Sequence, residues 1–340
     1  MPNTDWFMPA EWEEHERTWM AWPSSGYTLG DTPEDWLEAR STWAAVANAI
    51  IEFEPVSMLC EPEAVAIAKT FLDPRVELIE APLDDAWMRD IGPTFVKNSS
   101  GEVAGVSWVF NGWGAQKWAT WQKDSKVAEL INRLSGTQNI ASTLINEGGG
   151  LHVNGAGTVL LTETVQLGEG RNSTWSREAV ENEIHNRLGT KEAVWIRRGL
   201  TRDYDEFGTR GHVDIVACFA SPTKILFHNQ EDPSHPDFSV SHEVKRTLEE
   251  HGGFELIPVA APTILRDEES FVDYSYINHY LVNGGVILCG FNDENDSRAV
   301  ETLQAAYPNR KIVLVDARPL FARGGGIHCI TQQQPARETA

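Results

Sequence analysis

The sequence is poor in positive charge, with twenty-eight Lys and Arg against fifty Asp and Glu, a formal net charge of -22. Such a chain repels phosphate-rich polymers and anionic lipid, so neither a nucleic acid nor a membrane surface is an expected partner. Cysteine is scarce. Cys60, Cys218, Cys289 and Cys329 lie far apart with no C-x-x-C pair, which argues against a disulfide framework or a zinc knuckle and fits a reducing cytoplasm. No apolar run approaches the roughly 20 residues that a membrane-spanning helix requires. The opening stretch, MPNTDWFMPAEWEEHERT, has acidic groups and tryptophans where a secretory signal needs a basic start and an apolar core. A soluble, cytoplasmic chain is expected.

What remains is the composition of a folded protein. The 340 residues are 41% hydrophobic and 23% charged, whereas a disordered chain would be poorer in apolar residues. Length alone allows one large domain or two medium ones. No linker or low-complexity stretch interrupts the chain, so residues 1–335 are expected to form one domain. Fraying is expected from Gln332 onward, with 336–340 a disordered tail.

Helical spacing of apolar residues is clearest over Thr32 to Glu52, where Pro33 and Glu34 fit a first turn. Further helices are predicted over Asp124 to Leu134, Ser176 to Leu188, Val240 to His251 and Asp296 to Tyr307. Short apolar or alternating runs predict strands at Val56 to Leu59, Val76 to Ile79, Val103 to Phe110, Thr158 to Thr162, Val213 to Phe219, Lys224 to Phe227, Val286 to Cys289 and Lys311 to Val315. Alternation of the two kinds places the chain in the α/β or α+β class.

A weak repeat runs through this pattern. Polar residues stand at the start of apolar segments around Asp90, Glu147, His212, Asn278 and Cys329, at intervals of roughly 60 residues. A radial arrangement of five such units would bring all five residues to a common axis. Chance recurrence of Gly and His at strand ends would give the same pattern, and the repeat alone does not separate the two.

Candidate chemistry centres on Cys329. A cysteine works as a nucleophile only as thiolate, which calls for an accessible site near a cation, a histidine or main-chain donors. Cys60, Cys218 and Cys289 sit in apolar runs and read as packing. Cys329 follows Gly324-Gly325-Gly326 and precedes Thr331-Gln332-Gln333-Gln334, a compact, polar setting open to close approach. On that context alone, packing and catalysis are equally good readings. His15, His235, His242 and His251 lie in charged or Pro-rich surroundings, while His185 and His228 fit helix-face and strand-end roles. His212 and Asp214 stand two apart, and on a strand would face one side. A carboxylate there can orient the imidazole or hold a cation, although a buried hydrogen-bonded pair reads equally simply. Asp84, Asp85, Trp87, Arg89 and Asp90 form an acidic and aromatic cluster suited to a planar cation, because a carboxylate accepts two parallel N–H bonds while an indole stacks on the delocalised plane.

Six motifs in order resemble the agmatine deiminase family of the guanidine-modifying superfamily. They are Met8-Pro9-Ala10-Glu11-Trp12-Glu13 with Thr18-Trp19-Met20-Ala21-Trp22-Pro23, Trp87-Met88-Arg89-Asp90-Ile91-Gly92-Pro93, Glu147-Gly148-Gly149, Gly211-His212-Val213-Asp214, Tyr276-Ile277-Asn278 with Val282-Asn283-Gly284-Gly285, and Gly324 through Pro335. The resemblance implies a pseudo-fivefold α/β propeller, the pentein fold, with five ββαβ-like units around a central site. It implies no metal and no cofactor, and a small cationic guanidino compound as partner, most simply agmatine hydrolysed to N-carbamoylputrescine and ammonia. A homodimer is compatible with it.

Carried onto this sequence, the resemblance makes Cys329 the nucleophile and lets Asp90 and Asp214 accept hydrogen bonds from the guanidinium. His212 becomes the acid and base, with Glu147 behind it. Trp87, Trp113, Asn278, Arg210 and Gly325 complete the substrate-binding set. Arg210 departs from the family's usual acidic residue, and Asn154 and Ala156 stand where acidic residues are common. Each change favours a carboxylate over a distal ammonium. The alternatives are therefore a deiminase of arginine, a guanidino acid or peptidyl arginine, a metal-dependent hydrolase with His212, Asp214, His152 and Cys329 as ligands, and a non-catalytic guanidinium binder.

Overall fold

A computed structural model describes residues 5–337. Among the described residues the β structure is five small sheets, four of them three-stranded with one connectivity and the fifth four-stranded. In the sheet formed by Thr94–Lys97, Val103–Val109 and Gln138–Ile145, the first pair is antiparallel and the second parallel. The same order recurs in His152–Val153, Thr158–Thr162 and Glu192–Ile196, in Ala217–Ser221, Lys224–Asn229 and Glu255–Ala260, and in Tyr280–Val282, Gly285–Gly290 and Lys311–Asp316. The remaining sheet joins the two ends of the chain: Gln332–Pro335 lies antiparallel to His15–Ala21, which runs parallel to Val56–Cys60, itself parallel to Glu77–Glu80.

Parallel neighbours need a crossover, and in each unit a helix supplies it. These are Pro33–Ile50, Val127–Ser135, Arg177–Leu188, Asp237–His251 and Asp296–Ala306. All five coincide with the predicted helices to within a few residues at their ends. Thr32 caps the first in a reciprocal box with Asp35, which satisfies main-chain donors that a helix start leaves free. Ser176 caps the third by accepting from Ala179 N at 3.1 Å. That helix ends at Gly189 with φ 65°, a left-handed conformation that favours glycine. Large apolar side chains such as Trp19, Trp22, Trp43, Phe219 and Phe291 fill the main core. A second apolar cluster gathers around Val106, Leu144, Leu161, Ile184 and Trp195.

Three expectations need correction. The repeated polar residues do not start strands: they lie on or beside one-turn helices at Met88–Ile91, Gly148–Gly150, Val213–Ile215, Tyr276–Asn278 and His328–Ile330. Each turn leads into the first strand of a sheet, so the strand predicted over Val213 to Phe219 begins only at Ala217. Gln332 to Pro335 is not frayed. It is a buried strand, because its ladder to His15–Ala21 satisfies a backbone that its polar side chains did not advertise. Ala336 N continues this pairing onto Glu14 O at 2.8 Å, and residues 338–340 of the expected tail lie outside the described residues. Lastly, His15 and His235 are buried and hydrogen-bonded to Glu11 O and Val272 O, since tertiary partners override their polar local sequence. Among the described residues no helix is long and apolar enough to cross a membrane.

Candidate active site

The five one-turn helices deliver their polar side chains to one buried cluster. Asp90 comes from Met88–Ile91. Its Oδ1 accepts from Gly149 N at 3.0 Å and its Oδ2 from Trp113 Nε1 at 2.8 Å. Glycine is required at 149 by close approach, because a Cβ there would lie 2.4 Å from His212 Nδ1. Trp113 reaches Asp90 from backbone at φ 54°, within a run of positive φ from Gly112 to Ala115. Such strain persists only where surrounding contacts hold it.

Glu147, fully buried, places Oε2 3.2 Å from His212 Nε2, while His212 Nδ1 faces Asp90 Oδ1 at 3.8 Å. Behind Glu147 stands Arg171, which also donates to Thr209 O at 2.7 Å. Asp203 fixes the loop carrying His212 by accepting from Thr209 N, Gly211 N and His212 N at 2.6, 2.6 and 3.1 Å. His212 itself is extended and Asp214 sits in the following turn, so the two converge through that turn and not through strand alternation.

Cys329 Sγ lies 3.6 Å from Asp214 Oδ2 and 3.4 Å from Asn278 Nδ2. Asn278 also accepts from His328 N at 3.0 Å and donates to Asp214 O at 3.2 Å, tying three of the turns together. Gly325 fits between Trp87 and the nucleophile: a Cβ there would meet the Trp87 ring at 2.6 Å and Cys329 Sγ at 3.1 Å. Trp87 packs edge-on to Trp43.

The electrostatics follow from enclosure. Burial pushes Asp90 up to about 6 against the pull of His212. Burial also opposes the charge of His212, yet Asp90 and Glu147 win and hold it at about 9. For Glu147, Arg171 and His212 outweigh burial and keep it ionised. Asp214 is likewise held low, by His328. The Cys329 thiol is pushed well above its ordinary value by burial and by Asp214 and Asp90, so it rests protonated. The expected accessible thiolate setting is absent, because Cys329 is only 4% exposed. Beside Cys329, Asp214 Oδ1 and His212 Nδ1 are among the buried polar atoms that have no hydrogen-bond partner within the described residues. Buried polar atoms are ordinarily paired, so these mark where a ligand would bond.

Trp113 and Arg171 also line an open cleft of about 1600 Å³ with Tyr204, Arg198, Glu206 and Arg210. Of the residues carried over from the resemblance, Arg210 lies outside the cluster. Its guanidinium bonds to Tyr204 O at the cleft wall. The Asn154 side chain is engaged within its own turn by Ala156 N and Thr158 N, and Ala156 lines a separate cavity of about 150 Å³. Asp84 and Asp85 do not join the cluster either, since both organise the loop around Asp124. Cys60, Cys218 and Cys289 are buried, with thiols pushed up chiefly by burial. The ligand set of the metal alternative does not assemble. Among the described residues no three His, Cys, Asp or Glu side chains are placed to hold a metal ion.

Sequence reasoning missed Arg171, Asp203, Glu11 and His328 as parts of this site. Arg171 and Asp203 carry no local signal, as each is one charged residue in a polar loop. His328 and Glu11 stood inside quoted motifs, and their burial was the missing fact.

The geometry agrees with what the chain resembles. The family model for Porphyromonas-type peptidyl-arginine deiminase matches residues 7–335. A Streptomyces avermitilis relative bearing a provisional agmatine deiminase name is 55% identical, covering 98% of this chain and 99% of its own length. The agmatine deiminase of Ectopseudomonas mendocina is 36% identical over 100% of this chain and 98% of that one. The structure of Enterococcus faecalis agmatine deiminase superposes with a TM-score of 0.92 at 31% identity, covering 99% of this chain and 98% of that one. With a match across nearly its whole length, the chain belongs to the Porphyromonas-type peptidyl-arginine deiminase family.

Proposed function

We propose that the protein hydrolyses a guanidino compound, agmatine first among them, to a ureido product and ammonia. The observation that carries this reading is the pairing of Asp90 and Asp214 around Cys329, with His212 clamped by Glu147. Guanidinium keeps its proton at ordinary pH and offers only N–H donors, so two carboxylates facing one pocket supply the acceptors it needs.

Charge balance gives the order of events. At neutral pH the buried carboxylates Asp90, Asp214, Glu147 and Glu11 lie among the cations His212, His328, Arg89 and Arg171, with Asp203 held separately by main-chain donors. Entry of a guanidinium adds one positive charge, which lowers the cost of ionising Cys329. The thiol proton leaves to solvent and the thiolate attacks the central guanidinium carbon. His212, an imidazolium, gives its proton to the departing nitrogen, and ammonia leaves with the C–N bond. The resulting thiouronium is attacked by water, whose proton His212 now accepts. Collapse breaks the C–S bond, forms the urea carbonyl and returns the last proton to the thiol.

A pseudo-fivefold propeller is the arrangement we infer for the five sheets. It is supported by their shared connectivity and by the convergence of the turn preceding each one. Residues 1–335 are taken as one catalytic domain on the same grounds. A second reading, a substrate with a distal carboxylate, rests on Arg210, Arg197 and Lys117 on the cleft wall, where Arg198 is already paired with Glu243 and Glu163, Glu169 and Glu206 also line the space. Assay of ammonia and ureido product with agmatine, arginine, a guanidino acid and a peptidyl arginine tests both. Turnover of agmatine above the others is expected, turnover of the guanidino acid above agmatine selects the second reading, and inactivity with every guanidine rejects the function.

A further inference from the structure

Behind the nucleophile a line of buried ionisable groups leads away from the pocket. Asp214 Oδ2 lies 2.8 Å from His328 Nδ1, and His328 Nε2 lies 3.1 Å from Glu11 Oε2. All three residues are at most 6% exposed. Glu11 is anchored from its other oxygen, which accepts Leu281 N at 2.9 Å. With Glu11 and Asp214 both held in the ionised form, an imidazole bonded to one at each nitrogen donates from both, which makes this ring an imidazolium.

We propose that His328, clamped by Glu11, is a positioning residue that keeps Asp214 ionised and oriented, with its unpartnered Oδ1 left free for the substrate. The reading rests on the function proposed above. Its physical basis is a contrast between two carboxylates of one pocket. Asp90 has no cation hydrogen-bonded behind it, and burial raises it to about 6. Asp214 is as deeply buried, yet remains low through the bond to His328. With one oxygen occupied by His328, the orphaned Oδ1 is the acceptor left for a guanidinium N–H. The groups facing His328 from each packed element are Asp214, Glu11, Arg89, His152, His279 and Tyr280. Arg89 opposes its charge. His152 and His279, at about 3 and 4, are neutral at working pH, so the two carboxylates decide its state.

Removing the cation would let burial raise Asp214 toward the range of Asp90. Binding would then need two carboxylates to lose protons near neutrality instead of one. The experiment measures the Kd of agmatine by calorimetry in Cys329→Ala, alone and combined with His328→Gln or Glu11→Gln, from pH 5.5 to 8.5. The expected result is weakening of about tenfold or more at pH 6, shrinking to within about threefold at pH 8.5, since one pK unit is a factor of ten. Glu11→Gln should fall between, because Gln keeps the shape and removes only the charge. Weakening that is equal at every pH, or none, would overturn the proposal.

A substrate-free measurement keeps the inference separate from the function. In 15N-histidine NMR titration of the unmodified protein, the His328 ring signal, identified by through-bond correlation to its own backbone, should stay protonated above pH 7. Titration of that signal below pH 6.5 would also overturn the proposal, even if a variant failed to fold. If agmatine neither binds nor turns over while the signal behaves as stated, the functional reading fails and the relay stands.

Discussion

Arg171 Nε donates to both carboxylate oxygens of Glu147 at 3.0 Å each, with both side chains at most 2% exposed. Breaking a buried pair from one side leaves an uncompensated charge at a cost of about 3–5 kcal/mol. Arg171→Met should therefore lower the midpoint of denaturant unfolding substantially. It should also raise the His212 pKa further, because the Glu147 charge would then act on His212 alone, and kcat should drop. Unchanged stability in Arg171→Met would show that water reaches Glu147.

Cys329 is buried beside two carboxylates, so its free thiol should react slowly with neutral iodoacetamide at pH 7 and faster as pH rises. A cationic haloacetamidine should react faster by about 10² or more at the same pH, because it brings the charge that stabilises the thiolate. Equal rates, measured by mass spectrometry of the Cys329 peptide, would contradict the charge-balance order. Cys329→Ala should abolish ammonia release while still binding agmatine.

Asp90→Asn and Asp214→Asn should each lower kcat/KM by about 10² or more, a loss of about 2.7 kcal/mol of transition-state stabilisation. Near-wild-type rates in steady-state assays would remove the assigned role. Asp90 must be ionised, so activity is lost as pH falls through about 6. His212 must start protonated, so activity also declines as pH rises above about 9. The kcat/KM profile should peak on the alkaline side of neutral.

Acid stability has a separate origin. Burial depresses His152 and His228 to about 3 and His279 to about 4, while an unfolded histidine titrates near 6.5. Below that value the unfolded state binds more protons, so stability falls with pH by about 1.4 kcal/mol per unit for each residue. The loss continues until the folded values near 3 to 4 are reached. Thermal midpoints measured from pH 7 to 4 should drop steeply. His228→Gln, far from the nucleophile in sequence, should flatten that slope, and an unaltered slope would show that His228 is already charged in the fold.

Much of the site was legible because it depends on short runs with unusual residues. Cys329 after three glycines, His212 with Asp214, and Asp90 beside Trp87 stood out from apolar surroundings. The five crossover helices were legible because each carries its own apolar spacing and several carry caps. Strands such as His15–Ala21 and Gln332–Pro335 were not, since their polar side chains are buried only through pairing of segments more than 300 residues apart in the sequence.

By itself the sequence determined the five crossover helices and the regular recurrence of Asp90, Glu147, His212, Asn278 and Cys329, because propensity, capping and glycine placement act locally. The tertiary structure alone decided that Asp90 and Asp214 have different partners, that the Cys329 thiol is buried beside Asp214, that Arg171 bonds to Glu147 and His328 to Asp214, and that Arg210 lies on the cleft wall. Those outcomes depend on burial and on partners brought together from distant segments, and a local pattern records neither desolvation nor the charge that offsets it.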